Sequence, residues 1–167
     1  MDSITLDIAG AKVTLPPETL TKLWLAQLQI ATTQRDTSTL RALPAIGSPY
    51  SGGTFAGIAR GRDGQLDYFL IVADAAREGV TWEKAKDWAK NLLEAGLADW
   101  FLPTRAEQAL LFANVPELFA QEWYWSGAQY AGAEQCAWYQ DFYGGLQFYD
   151  RKVGELRARA VRRQPIE

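Results

Sequence analysis

Apolar and polar positions alternate at the start of the chain. Ile4, Leu6 and Ile8 share one side of an extended segment, Ala9-Gly10 offers a turn, and Val13 and Leu15 follow. This period of two predicts a small hairpin. Pro16-Pro17 stops it. From Glu18 to Ile30 the apolar Leu20, Leu23, Trp24 and Leu28 fall at helical spacing, which predicts a short amphipathic helix. Residues 31–53, rich in Thr, Ser, Pro and Gly, read as a connector.

A second region begins near Tyr50. The runs TFAGIAR (54–60) and QLDYFLIVA (65–73) predict two strands joined at Asp63-Gly64. Thr81 stands at an N-cap position with Glu83 in the first turn. Trp82, Ala85, Trp88, Ala89 and Leu92 share a face, and Gly96 closes the segment, so a helix is predicted. Trp100 to Pro103 is extended, because a residue before proline avoids the helical region. Thr104 and Glu107 form a T-x-x-E capping box opening a second helix through Phe112, with Asn114 as its C-terminal cap. After Pro116, and room for a turn of helix, come four strand-like runs: WYWSG, AWYQDF, GLQFYD and LRARAVR. This order predicts an α+β domain, with both helices at one end or face of a mostly antiparallel sheet. The chain divides on this reading into an N-terminal hairpin, helix and connector (1–47) and a main domain (48–167).

Ten of the chain's twenty-one aromatic residues fall between Gln121 and Lys152. Alternation puts Trp123 and Trp125 on one side of their strand. It gives Trp138, Gln140 and Phe142 a common face, and these Trp/Phe faces are expected to be core. The tyrosines Tyr124, Tyr130, Tyr139, Tyr143 and Tyr149, interleaved with Asp141, Gln147 and Arg151, have the composition of a binding surface. They form the candidate partner-binding site. The competing reading makes them half-buried sheet residues with wet hydroxyls.

Composition narrows the chemistry. With no histidine and one cysteine, Cys136, the chain has no Ser-His-Asp or Cys-His site, no histidine-ligated metal and no intrachain disulfide. Catalytic residues, metal ligands and cofactors are therefore not expected. Cys136 has no basic neighbour in sequence to activate it. Asp63, Asp67, Asp74, Asp141 and Asp150 are scattered and read as turn and surface residues. The formal charge of −3 gives no general attraction to nucleic acid or anionic lipid. The arginines between Arg151 and Arg163 are expected to pair internally, with Asp99 or Glu107 as partners. No apolar run is long enough for a membrane span. The first residues lack the basic and apolar regions of a secretory signal, so the bacterial cytoplasm or a phage particle is the expected location.

The segments GGTFAGIARGRDGQLDYFLIV, TWEKAKDWAKNL, DWFLPTRAEQALLFAN, WYWSGAQY and ELRARAVRR, in this order, resemble the bacterial and phage domain family named after the C-terminal domain of Legionella collagen-like protein. The resemblance spans roughly residues 48–163. It departs from the family's W-R-L-P-T pattern at Phe101, where an apolar residue replaces the arginine. It implies a C-type-lectin-like fold, in small phage or prophage proteins as well as adhesin tips, without a settled general activity. Enzymes of similar fold rely on a cysteine pair or on histidine ligands. Calcium-binding lectins of that fold carry Glu-Pro-Asn or Gln-Pro-Asp with Trp-Asn-Asp. This sequence has none of these. The resulting expectation is a non-enzymatic module that binds a host protein or glycan through the Tyr-rich face. The alternative is an intracellular phage accessory protein that inhibits a host enzyme or defence complex. The N-terminal helix offers a surface for homo-oligomers.

Overall fold

The computed structural model describes residues 4–8, 11–19, 21–22, 24–26 and 43–166. The chain divides into two compact units, residues 1–43 and 44–167. In the first, β1 (Ile4–Ile8) and β2 (Ala11–Leu15) pair antiparallel with Ile4 opposite Leu15, so the expected hairpin is present. Its Ala9-Gly10 turn lies outside the described residues. Residues 17–19, 21–22 and 24–26 are helical. Of the apolar helix face proposed for self-association, Leu20, Leu23 and Leu28 lie outside the described residues, as do residues 31–42 of the connector.

The second unit is α+β. Its strands are β3 (Pro49–Tyr50), β4 (Gly53–Ala59), β5 (Tyr68–Val80), β6 (Trp123–Gln129), β7 (Cys136–Asp141), β8 (Gln147–Arg151) and β9 (Leu156–Pro165). They form one sheet in the order β3-β4-β5-β9-β6-β7-β8. All neighbours run antiparallel except β6 and β9, which meet in parallel at Tyr124 and Arg157. Helices α1 (Trp82–Lys90) and α2 (Arg105–Asn114) and a 3-10 turn at Pro116–Leu118 complete the unit.

The helices do not share a face, contrary to expectation. Ile71 and Ala73 of β5 join a core cluster with Trp82, Ala85 and Ala89 of α1, whereas Leu70 and Val72 join a second cluster with Leu111 of α2. Neighbouring strand residues point to opposite sides, so α1 and α2 cover opposite faces of the sheet. The uninterrupted run Phe69-Leu70-Ile71-Val72-Ala73 requires this arrangement, because a strand apolar on both sides must be buried on both.

Local signals hold with four adjustments. Asp63 (φ +53°) and Gly64 (φ +79°) form a tight turn closed by the Gln65 N–H donating to Arg62 O, but it sits inside an eight-residue loop, 60–67. The Thr81 side chain makes no capping bond; the Trp82 N–H donates instead to the Lys152 carbonyl at 3.0 Å. Gly96 does not close α1 directly. With Ala95 it forms a two-residue turn beyond the helix, where Glu94 and Leu97 exchange backbone hydrogen bonds of 3.0 and 2.9 Å. Asn114, expected as a cap, is the last helical residue, and its amide donates to Ala56 O at 2.8 Å. That carbonyl belongs to a β-bulge at Phe55/Gly57, and a Cβ at Gly57 (φ +131°) would come within 2.8 Å of the Asn114 amide nitrogen.

The expected capping box is complete, and its glutamate does more than cap. Glu107, 1% exposed, accepts at Oε2 from the Thr104 N–H (2.7 Å) and Arg163 Nη2 (3.0 Å). At Oε1 it accepts from Arg163 Nε (2.6 Å) and the Tyr68 hydroxyl (2.8 Å). Arg162 and Asp99 form the other expected pair, with Arg162 Nε 2.7 and 2.8 Å from the carboxylate oxygens. Arg159 donates to the Ala73 and Asp74 carbonyls, and Glu94 accepts from the Asp74 and Ala75 N–H groups, where β5 shifts register against β9.

Burial alone would raise the Glu107 carboxyl, but the Arg163 fork, the Thr104 amide and the Tyr68 hydroxyl outweigh it and hold the group below its ordinary 4.5. Its contribution to stability is therefore present above pH 4.5 and is lost as pH falls through the lowered folded value. Glu107→Ala should cost about 2–4 kcal/mol in urea denaturation, since it leaves the Arg163 fork, the Thr104 N–H and the part-buried Tyr68 hydroxyl without their acceptor. Glu107→Gln should flatten the acid limb of the stability–pH curve; an unchanged limb would assign that titration to other groups.

Candidate functional site

The hairpin β7–β8 forms the far end of the sheet, and its register is set by the turn that joins the strands. Asp141 N–H donates to Leu146 O (2.8 Å) and Gly145 N–H to Asp141 O (2.9 Å), while the Asp141 carboxylate accepts from the N–H groups of Tyr143 and Gly144. Gln140 therefore faces Gln147, Tyr139 faces Phe148, and Trp138 faces Tyr149. Directly opposed residues point to the same side of the sheet.

On the α2 side, Tyr130 stacks on Tyr149 with centroids 3.8 Å apart and planes 4° from parallel. Trp138 meets both rings edge-on at 5.3 and 5.8 Å. Arg105, the first residue of α2, lays its guanidinium 3.6 Å from the Trp138 ring centroid. Its Nε donates to Gln147 Oε1 (3.0 Å), and Gln147 Nε2 donates to Arg105 O (2.7 Å) and Gln140 Oε1 (2.9 Å). The result is a rigid aromatic platform held by a guanidinium. Tyr149 remains 48% exposed, and Arg151 follows on the same face of β8.

The opposite side carries a second aromatic row. Trp123, Tyr139 and Phe148 cross β6, β7 and β8 with centroid separations of 5.7 and 6.3 Å. Trp123 and Phe148 are about half exposed, and Tyr139 rests edge-on against buried Trp125. Burial, then the negative charges of Asp150 and Asp141, push the Tyr139 hydroxyl above its ordinary value. Arg105 and Arg151 lie on the platform side; on the other, Asp150 and Asp141 lie near Tyr139, and Lys152 lies over the Trp82 ring.

The predicted Tyr-rich face is therefore not one surface. Tyr130, Gln147, Tyr149 and Arg151 come together; Tyr139 and Asp141 lie on the reverse, and Tyr143, 75% exposed, stands on the turn. Tyr124 is a correction. It is 3% exposed, packs against Phe119 and Phe142, and its hydroxyl accepts from the Ala120 N–H at 3.0 Å. α2 and the 3-10 turn cover this part of the face, so Tyr124 is core. Conversely, Trp123 and Trp138 were expected in the core; Trp123 is 51% exposed, and Trp138 is only half-buried, beneath the Arg105 guanidinium and outside both core clusters. Arg105 and Phe148 were missed. The Gly144-Gly145 turn would have given the Trp138–Tyr149 register from sequence; nothing local pointed to Arg105.

The family model described as the Lcl C-terminal domain matches residues 61–162, which include β7, β8 and both helices. No curated protein matches the chain.

Alanine substitutions separate core from surface tyrosines. Tyr124→Ala should lower stability by roughly 3–5 kcal/mol in urea denaturation. Tyr143→Ala should change it by less than about 0.5 kcal/mol. Equal losses would contradict the burial difference.

Proposed function

The chain belongs to the Lcl C-terminal domain family, and on that footing we propose that it is a non-enzymatic recognition module of C-type-lectin-like fold. On this reading it is phage- or prophage-derived and holds a host protein or glycan against the Tyr130–Trp138–Tyr149 platform. The observation that carries the reading is the platform itself. Three rings and a guanidinium are locked together on the last hairpin of the sheet, and none of the three rings belongs to either core cluster. Rigid aromatics with polar tips bind at low entropic cost, and a ring face beside arginine and amide donors suits either a sugar or a protein surface. The complete lack of histidine supports a binding role over a catalytic one.

The experiment is capture from a bacterial lysate alongside a glycan array, with wild type beside Arg105→Gln/Tyr149→Ala. Both residues are exposed, so the variant should melt cooperatively. A ligand held by the platform should bind the variant at least about tenfold more weakly, the size of a hot-spot contact. Undiminished binding by the variant would overturn the assignment.

A further inference from the structure

A cleft of about 1150 Å³ lies between the 60–67 loop and the opening turn of α2, on residues the aromatic platform does not use. Its lining joins apolar side chains, chiefly Leu66 and Leu110, to the charged groups Arg60, Arg62, Glu107 and Arg163. Glu107 presents no free charge there, because Arg163, Tyr68 and Thr104 occupy both its oxygens. Arg60 and Arg62 differ: both are exposed, and neither guanidinium makes an ion pair or hydrogen bond with another described residue. Asp63 is the one lining carboxylate left without a cation, so the cleft carries net positive charge in a chain whose formal net charge is −3.

The loop holding the two arginines is built rather than slack. Gly61 N–H donates to Asp67 Oδ1 (2.9 Å), and Ile166 N–H donates to Asp67 O (3.0 Å), tying the loop to the end of β9. Unpaired guanidinium groups beside an apolar lining match a ligand that is anionic at one end and aliphatic at the other.

We propose that this cleft binds an amphipathic oxyanion, with Arg60 and Arg62 holding a carboxylate or phosphate group and Leu66 and Leu110 covering its aliphatic chain. The site is independent of the platform, so either assignment can fail alone. The test is a methyl NMR titration of the full chain with octanoate, octyl phosphate and, as the uncharged control, octanol. Octanoate or octyl phosphate should shift the Ile58, Leu66 and Leu110 methyl signals, and the tighter of the two identifies the head group. Arg60→Gln/Arg62→Gln should keep the wild-type melting temperature and weaken that binding at least about tenfold. Octanol binding equally well, an unaltered affinity in the variant, or no methyl shifts with either anion would each overturn the proposal.

Discussion

One buried carboxylate connects three parts of this fold. Glu107 closes the N-terminus of α2, receives both arms of the Arg163 fork from β9 and takes the Tyr68 hydroxyl from the start of β5. A carboxylate at this depth is tolerated only when its oxygens are fully partnered, so each partner constrains the others. The helix start is thereby pinned to two neighbouring strands. Two consequences follow from that position. Arg105, one residue into the helix, is aimed across the sheet at Trp138 and Gln147. The neutralised Glu107–Arg163 pair also lines the cleft beneath the 60–67 loop, leaving Arg60 and Arg62 to set its charge.

The sheet imposes the second constraint. With both faces of β5 apolar, it needs a helix on each side. Two of its four register shifts expose backbone groups that must be answered: Asn114 answers at Ala56, and Arg159 and Glu94 answer at residues 73–75. The indole nitrogens follow the same rule. Trp82 donates to Ser126 O at 2.7 Å, and Trp125 donates to Val80 O at 2.9 Å. Much of the polar chemistry in the C-terminal arginine run is consumed in this way. It reads as adhesive for the fold, with Arg157–Glu78 and Arg162–Asp99 as further examples.

On the α2 side, the core cluster ends part-way along the β7–β8 hairpin. A single strand face can then change role along its length. Phe142 and Tyr124 lie under α2, while Trp138 and Tyr149, on the same face, lie outside it. Residue type does not report this transition. A tryptophan serves at the surface and a tyrosine in the core because helix length, not side-chain polarity, sets where cover ends.

The sequence by itself determined what depends on neighbours in the chain. The β1–β2 hairpin, the Asp63-Gly64 turn, the Thr104/Glu107 capping box, the strands of the second unit other than β3, and Asp99 and Glu107 as partners of the C-terminal arginines were legible, as were the family and the α+β class. Periodicity, capping and charge complementarity are short-range or pairwise rules, and they left marks that can be read. The tertiary structure alone decided which helix covers which face, where that cover stops, and hence that Tyr124 is buried and Trp123 displayed. It alone brought Arg105 to Trp138 across 33 residues of chain and set Arg60 and Arg62 over a cleft next to an already satisfied carboxylate. Those outcomes depend on the packing of elements distant in sequence, for which no local pattern of apolar and polar residues carries a signal.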